Sequence, residues 1–424
     1  MAAERQEPAW MRTLRSQARE RFDSMSWPTT ADEEWRRTDV SRLGLGSYAP
    51  AELPRAACPR EGETEGAAGV IRFEGGRCTE VALDPELRDA GVSLLPLELA
   101  LEEFETPLYG MFKSAVDEAD NRLVAWHYAA WSHGAFLWVP AGLEIAKPFF
   151  VDFVENGRDG SLTSPHVAII VGEGARASVA QRIRGADATI LCNAGADLGL
   201  ADASGLQMFE AQELGASSLY FRNARASVGR DASLRHVDAA FGGKLVKTRM
   251  ECILSGRGAE AYLDGVYYCR LGQHMDIRTV QRHRSPRATS RAYYKGAVAG
   301  GGRTVFQGLI EVETGASGTD AYLTNRNLIL GEAARSDSIP TLKIGNNDVK
   351  CSHGSTTGKL SAEELFYLES RGFSATDARE MLVVGYFEDL LAKAPESFRD
   401  DALAHIRERL RGSTTASGGG ASAA

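Results

Sequence analysis

The sequence predicts a mainly β protein with helices at both ends. From about residue 130, roughly 220 residues consist of short β-rich pieces separated by glycine turns, whereas amphipathic helical patterns lie before and after this stretch. We therefore predict an N-terminal helical or mixed domain over 1–128, a β core over 129–352 and a small C-terminal helical domain over 353–411. Residues 412–424 are small, polar and glycine-rich, and we expect a flexible tail there.

Length and charge narrow the possible functions. A chain of 424 residues is long enough for two or three domains. Its net charge of −9 argues against binding to a nucleic-acid backbone, which requires clustered cations. The N-terminus is charged and unlike a signal peptide, and the sequence has no run of about 18 apolar residues that would span a membrane. We expect a cytoplasmic protein, with the six widely spaced cysteines as reduced thiols.

The N-terminal domain is expected to contain two helices. Trp10, Leu14, Ala18 and Phe22 recur every four residues, the period of an amphipathic helix over 9–26. A second pattern covers 96–105, and we expect Pro107 to end it. All six tryptophans lie before residue 140. We interpret them as core of this domain, with contact to a partner protein as the alternative.

The β core carries a repeat. Residues 244–254 alternate, with Val246, Thr248, Met250, Cys252 and Leu254 on one face, which predicts a strand with Cys252 in the core. A small-residue turn recurs between such strands, and its alanines, at 175, 232, 259 and 316, are 57, 27 and 57 residues apart. These spacings are close to multiples of 28, which favours a solenoid with one coil per repeat. An antiparallel sandwich fits the strand pattern almost as well.

The C-terminal domain is predicted to contain three helices. Ser361 and Glu364 fit a capping box at the start of the first, and Gly372 is placed to end it. The second runs from Ser374 to about Lys393, before Pro395. Its predicted apolar face consists of Ala378, Met381, Leu382, Gly385 and Leu390, and the third helix has its apolar stripe at Leu403, Ile406 and Leu410.

Cys351 and His353 are candidate metal ligands at the end of the β core. Because they are two residues apart, an extended backbone places both side chains on one face of the sheet, where they can share a metal ion. Two ligands are too few for a closed zinc or iron-sulfur site, so the others must come from elsewhere in the chain or from a partner. The alternative is two ordinary residues at a strand end.

Three other patterns suggest weaker candidates. The basic run from Arg278 to Arg291 forms either ion pairs with acidic residues of neighbouring coils or an anion site, in which Arg282 and Arg287 contact a flavin phosphate. His236 with Asp238, and His274 with Asp276, have the spacing of same-face pairs on a strand and would fit a mononuclear hydrolase site or a structural hydrogen bond. The sequence has no phosphate-binding loop motif, so we expect no ATP hydrolysis by this chain.

Beyond these patterns, the segment DVKCSHGSTTG, followed by LSAEELFYLESRGFS, closely resembles the C-terminal signature of the SufB/SufD family, and of its SufD members in particular. These are scaffold subunits of the SUF iron-sulfur cluster assembly machinery. The resemblance covers most of the chain, including RTVFQG at 303–308 and EEWRRTDVSRL at 33–43. It departs from the family pattern at Lys343, where a glutamate is expected, and at Leu323, where glutamine is usual.

The resemblance implies a right-handed parallel β-helix and a non-catalytic scaffold that pairs with SufB. His353 and Cys351 would then lie at the contact with SufB and help to hold a transient iron-sulfur cluster. The ABC-type ATPase SufC would dock on the C-terminal helices, at Leu365, Phe366, Leu368, Met381 and Leu382. A homodimer of the chain alone and a reduced flavin are further expectations. The alternatives are the SufB-type paralogue and a β-helix carbohydrate-active enzyme, which needs clustered carboxylates.

Overall fold

The computed structural model describes residues 7–51, 60–64, 66–185 and 187–415. Cys58 and residues 416–424 of the predicted tail lie outside them. The helices are α1 Ala9–Ser24, α2 Pro85–Asp89, α3 Leu97–Glu103, α4 Glu105–Asp117, α5 Arg122–Ala130, α6 Ala362–Ser370, α7 Ala375–Leu391 and α8 Glu396–Thr415, with 3-10 turns at Glu33–Trp35 and Leu45–Ser47.

The strands of the N-terminal half are β1 Ala49–Pro50, β2 Arg60–Glu61, β3 Gly69–Glu74, β4 Arg77–Leu83, β5 Ser93–Pro96, β6 His133–Val139, β7 Phe149–Val154, β8 Ser161–Thr163, β9 Pro165–Val171, β10 Arg176–Arg184, β11 Leu191–Leu200 and β12 Gly205–Glu213. Those of the C-terminal half are β13 Leu219–Val228, β14 Ser233–Ala240, β15 Leu245–Leu254, β16 Glu260–Cys269, β17 His274–His283, β18 Thr289–Val298, β19 Arg303–Val312, β20 Thr319–Ile329, β21 Arg335–Ile344 and β22 Val349–Lys359.

From β6 onwards the chain winds as a parallel β-solenoid. One sheet, sheet A, has the order β5-β6-β9-β11-β13-β15-β17-β19-β21, and the other, sheet B, continues from β7 through β10, β12, β14, β16, β18 and β20 to β22. Each coil contributes one strand to each sheet, giving eight coils from β6–β7 to β21–β22. The mainly β prediction and the solenoid are confirmed, and the sandwich alternative is wrong.

Short turns set the repeat length. Ala175, Ala232, Ala259 and Ala316 are fully buried at equivalent turns, as their spacing predicts. The 57-residue gaps span two coils because Ser204 and Ala288, also buried, occupy the turns between them. Each coil therefore rises by one strand spacing and buries a small residue where its turn contacts the next.

The space between the two sheets, the lumen, is a packed core. Inward-facing residues of β15 include Val246, Met250 and Cys252, so the predicted alternation of this strand is confirmed. Two glycines make room for large neighbours: a Cβ at Gly265 would clash with the ring of Tyr294, and one at Gly296 with the ring of Tyr267. The lumen can hold aromatic rings at these levels because the adjacent coil carries no side chain there.

The N-terminal region closes one end of the solenoid. A β3–β4 hairpin extends sheet B, and β5 pairs antiparallel with β6 at the edge of sheet A. Helices α1, α3, α4 and α5 form an apolar cluster on the outside, in which Trp131 is fully buried and Trp10 and Trp138 are half-buried. The tryptophans thus form core, as predicted. Pro107 lies in the first turn of α4 rather than ending the preceding helix, because a proline is tolerated at that position.

Charged pairs hold part of the N-terminal region against the outer face of sheet A. Arg225 of β13 pairs with Glu118 at 2.7 Å, and Arg278 of β17 pairs with Glu34 at 2.8 Å. His274 and Asp276 belong to the same contact: Thr38 Oγ1 lies 2.9 Å from His274 Nε2, and Lys247 Nζ lies 2.7 Å from Asp276 Oδ2. The hydrolase interpretation of this pair is therefore not supported, since both side chains secure the N-terminal segment.

The C-terminal helices cover the outer face of sheet B. The buried side of α7 comprises Ala378, Val383, Phe387, Leu390 and Leu391, and α8 contributes Phe398, Ala402, Leu403, Ile406 and Leu410 to the same cluster. The predicted face of α7 is thus partly wrong, because Met381 and Gly385 are exposed. The α8 helix extends to Thr415, into the predicted tail.

In the described part of the chain, no helix is both long and apolar enough to cross a membrane.

Candidate functional site

Cys351 and His353 lie on the last strand of sheet B, at the far end of the solenoid. In the parallel register of β20 and β22, Cys351 is next to Ala321 and His353 is next to Leu323. Both β20 residues are buried in the lumen core, and adjacent in-register residues face the same side of a sheet. The thiol and the imidazole therefore face the lumen side of the last coil, as the two-residue spacing predicts.

The two side chains differ in exposure. Cys351 is half-buried against the end of the core cluster, whereas His353 is exposed. Partial burial raises the pKa of the Cys351 thiol, and the negative charge of Asp320 raises it further. A bound cation would reverse this effect, because a metal stabilises the thiolate form of a cysteine ligand.

The side chains directly beneath the pair are apolar, although the Ala321 backbone forms a hydrogen bond with the Cys351 thiol that lowers its pKa. Ala321 and Leu323 are each 1% exposed, and neither carries a ligating atom. Lys343 points away from this site: it lies between the inward-facing Leu342 and Ile344, and its Nζ is 2.5 Å from Glu311 Oε1 on the outer face. Of the two departures from the family pattern, only Leu323 therefore touches the candidate site.

The described residues hold no group of three or more His, Cys, Asp or Glu side chains placed to bind one metal ion. A site at Cys351 and His353 would therefore need ligands from outside these residues.

The last coil leaves its strands open. Strands β21 and β22 end their sheets, so each has one edge without a hydrogen-bonded neighbour among the described residues. On the opposite wall of the lumen, Leu342 and Ile344 follow the buried Ile310 and Val312 in register yet are 36% and 42% exposed. Open strand edges beside exposed apolar side chains are typical of a surface that pairs with another chain.

A buried amide network supports this open end. Asn325 Nδ2 donates to the Tyr267 hydroxyl at 2.9 Å, that hydroxyl donates to Asn327 Oδ1 at 2.6 Å, and Asn327 Nδ2 donates to Asn325 Oδ1 at 2.6 Å. Asn325 and Asn327 are adjacent in register to Ser355 and Thr357 of β22. The network fixes the lumen side of β20, on which the candidate site rests. Sequence reasoning did not assign it, although the alternate asparagines on one strand were a visible signal.

The predicted arginine contacts lie apart from this site. Arg282 sits on the outer face of sheet A between Glu251 at 2.8 Å and Glu311 at 3.1 Å, and Arg284 pairs with Glu313 at 3.1 Å. Arg287 lies in the following turn with a φ of 59°. The ion-pair interpretation describes most of the run, because carboxylates of neighbouring coils accept these guanidinium groups.

His236 and Asp238 are inside the lumen. His236 Nε2 and Arg222 Nη2 both contact Glu210 Oε2, and the three side chains are at most 5% exposed. Burial raises the pKa of Asp238, and Arg222 opposes this rise. Such a cluster has no access for a polymer substrate, so it supports neither a hydrolase site here nor the carbohydrate-active alternative. Sequence reasoning missed Glu210 and Arg222 because their partners are one coil away.

The C-terminal helices present the predicted docking residues outward. In α6 no residue is buried; Phe366 is 72% exposed, while Leu365 and Leu368 are half-buried. On α7, Met381 is 46% exposed and Leu382 is half-buried. We call this surface of α6 and α7 the helical face. Exposed aromatic and methionine side chains together suit contact with another protein.

The fold and the site define a class of protein, a capped β-solenoid with a thiol and an imidazole at an open, partly apolar end. The chain belongs to the SufBD family of iron-sulfur cluster assembly proteins. The family model described as "SUF system FeS cluster assembly, SufBD core domain" matches residues 153–386. This range begins near the end of β7 and includes the seven following coils, the candidate site and most of α7.

Individual relatives agree with this assignment. An iron-sulfur cluster assembly SufBD family protein of Mycobacterium tuberculosis (strain ATCC 25618 / H37Rv) is 30% identical over 298 residues, covering 68% of this chain and 72% of the relative. One from Mycobacterium leprae (strain TN) is 37% identical over 193 residues, covering 44% and 47%. Another, from Staphylococcus haemolyticus (strain JCSC1435), is 25% identical over 434 residues, covering 96% and 91%.

Proposed function

We propose that this chain is a non-catalytic, SufD-type scaffold subunit that contributes His353 and Cys351 to a transient iron-sulfur cluster shared with a SufB partner. The observation that carries the proposal is the position of the pair: both side chains face the lumen at the one solenoid end that the described residues leave open. A partner that covers this end would bring its own ligands next to them.

The SufB partner would pair with the last coil. Its strands would continue those of β21 and β22, and its apolar residues would cover Leu342 and Ile344, which are exposed here. A homodimer of the chain alone would use the same end. The proposal of a SufD-type subunit, rather than its SufB-type paralogue, rests on the Cys-Ser-His-Gly form of the motif. Co-expression with both paralogues tests it: the chain should assemble with the SufB in preference to a second SufD-type chain.

A shared site with few ligands suits a cluster that must be released. Each chain would supply only part of the coordination. The in-register neighbour of His353, Leu323, has an apolar side chain and adds no polar contact to the His353 ring. Separation of the two subunits would then open the ligand shell at once. The cluster is thus held by the interface rather than by either chain.

The SufC ATPase would dock on the helical face, at Phe366, Met381 and their half-buried neighbours Leu365, Leu368 and Leu382. Energy for opening the scaffold would enter through this contact, from outside the chain. Truncation after Gly358 would be a poor test, because α7 and α8 bury apolar side chains of sheet B, among them Phe241 and Val266. Their removal would expose this apolar outer face of sheet B, so single substitutions on exposed residues are preferable.

A reduced flavin at Arg282 and Arg287 remains part of the proposal. The ion pairs of Arg282 with Glu251 and Glu311 compete with any flavin phosphate. Undiminished flavin retention in Arg282→Ala and Arg287→Ala variants would remove this contact from consideration.

The main test is anaerobic reconstitution with iron and sulfide on the complex with SufB and SufC. His353→Ala and Cys351→Ala should leave the complex intact and reduce the visible absorption of the cluster. Ser352→Ala is the matched control, because Ser352 lies between the two candidates and faces the opposite side of the strand. If both candidate variants form clusters as wild type does, the motif is structural and the chain is an architectural partner only.

A further inference from the structure

A groove lies along one rim of the solenoid, far from the motif of the last coil in sequence. It has a volume of about 520 Å³. It is formed where the turns that precede β11, β13, β15 and β17 meet the residues on either side of the 3-10 turn Leu45–Ser47. We call it the rim groove; its lining residues are Arg42, Leu43, Tyr48, Thr189, Ala216, Ser217, Leu219, Lys244, Arg270, Leu271, Gly272 and Gln273.

The charge of the rim groove is one-sided. Arg42, Lys244 and Arg270 line it, and none of its lining residues is acidic. Three other grooves of the described structure each contain a carboxylate, from Glu144, Glu34 or Asp320. Two carboxylates border the lining, but each accepts a backbone N–H: Asp159 from Thr189 at 2.7 Å and Asp187 from Ser217 at 2.8 Å. In a protein with a net charge of −9, three cations in a lining without an acidic residue favour binding of an external anion.

Hydrogen bonds fix the backbone segments that carry Lys244 and Arg270. Lys244 N donates to Ser218 O at 2.7 Å, and Lys244 O accepts from His274 N at 2.9 Å, which ties the residue to the coils on both sides. Arg270 N donates to Gln273 Oε1 at 3.1 Å, and Gln273 Nε2 donates to Gly243 O at 2.7 Å. Three segments that are distant in sequence thus converge on the groove at fixed positions.

A neighbouring group experiences the same positive field. Arg409 of α8 is 9% exposed and donates from Nε to Phe241 O at 3.3 Å. Burial lowers the pKa of its guanidinium, the positive charge of Arg270 lowers it further, and Glu408 and Glu213 partly oppose this effect. An anion in the rim groove would relieve this repulsion.

The walls of the groove suit more than a bare ion. Thr189 and Ser217 are polar members of the lining, Leu43 and Tyr48 are apolar or aromatic ones, and Leu271, also in the lining, is 71% exposed. Sites for small ligands commonly combine such an apolar wall with a few polar groups, in volumes of about 300–1,000 Å³.

We propose that the rim groove binds a small ligand carrying two or more phosphate groups, with Arg42, Lys244 and Arg270 as its phosphate contacts. Cations on three separate segments surround one depression, which fits a compact, multiply charged anion better than an extended acidic peptide. The shared chemistry is the polyphosphate chain, which both a nucleotide and an inorganic polyphosphate would supply.

Calorimetric titration of the full-length chain without partners tests the proposal, with sodium tripolyphosphate and ATP as probes. We expect saturable one-to-one binding that weakens as salt rises from about 50 to about 200 mM, because screening shortens the range of charge attraction. Lys244→Ala or Arg270→Ala should each weaken binding about tenfold, the lower range for loss of a charge-assisted hydrogen bond. Tighter binding of ATP would identify a nucleotide as the ligand, and equal binding an inorganic polyphosphate.

The matched control is the double variant Arg176→Ala with Arg235→Ala, which removes two surface cations from a different groove. It changes the net charge as much as Lys244→Ala with Arg270→Ala does, and it should leave binding unchanged. The proposal is overturned if neither probe binds saturably, if both double variants lose affinity equally, or if a polyglutamate peptide binds more tightly than tripolyphosphate. Circular dichroism of each variant confirms that the fold is retained.

Discussion

Two phenylalanines of the C-terminal helices provide a matched test of which helix surface stabilises the fold by packing on sheet B and which surface is available to a partner. Phe387 of α7 is fully buried against sheet B, in the cluster that includes Val266 and Phe398, whereas Phe366 of α6 is 72% exposed. The same substitution at both positions removes the same ring from opposite environments.

For Phe387→Ala we expect a loss of about 3–5 kcal/mol in the free energy of unfolding, from lost burial and the cavity left between helix and sheet. For Phe366→Ala we expect a change within about 0.5 kcal/mol, because the ring is largely hydrated in the folded chain. Urea denaturation followed by circular dichroism measures both values through the transition midpoint.

Binding to SufC should separate the variants in the opposite sense. Under conditions where both are folded, Phe366→Ala should weaken co-purification with the ATPase, while Phe387→Ala should bind it normally. A cost below about 1 kcal/mol for Phe387→Ala would contradict the packing of α7 on sheet B. Normal ATPase binding by Phe366→Ala would remove this residue from the proposed docking surface.

Two further predictions concern titration and thiol chemistry. Burial lowers the pKa of His283 from 6.5 to about 4, so as the pH falls the unfolded chain takes up a proton there before the folded chain does. The free energy of unfolding therefore has its full contribution from His283 above pH 6.5. It should fall by roughly 3 kcal/mol as the pH drops towards 4. Urea titrations at several pH values should show a shallower acid loss in His283→Gln, and an unchanged slope would refute the assignment. In a Cys58→Ser background, iodoacetamide should label half-buried Cys351 in the folded protein well before Cys252 or Cys269. The reason is that burial raises the pKa of the Cys252 and Cys269 thiols to about 12. Equal labelling rates in site-resolved mass spectrometry would contradict this prediction.

Local patterns in the sequence were sufficient for much of the fold. Alternation in 244–254 predicts the strand β15 and its inward face, because side chains on a strand point to opposite sides in turn. The alanine spacing predicts the coil, since each turn must bury a small residue against the next. The capping box at Ser361 and Glu364 likewise predicts the start of α6, and the Ser361 hydroxyl accepts the Glu364 N–H at 3.2 Å.

Some elements could not be predicted from these patterns. The buried face of α7 was predicted partly incorrectly because this helix carries apolar residues on several sides. Only the position of sheet B determines that Val383 and Phe387 are buried. The sequence likewise does not show that α7 and α8 cover the outer face of sheet B, because this contact joins residues far apart along the chain.

The sequence by itself determined the β class, the repeat, the same-face placement of Cys351 and His353, and the family resemblance. These features depend on residue type and on spacing along one strand or turn. Only the tertiary structure decided that this pair faces the lumen at an open end above Leu323, that Arg282 is held between Glu251 and Glu311, and that Lys244 and Arg270 converge with Arg42 on one groove. Contacts of this kind join residues one coil or more apart, and the stacking of coils, rather than any local pattern, sets which residues meet.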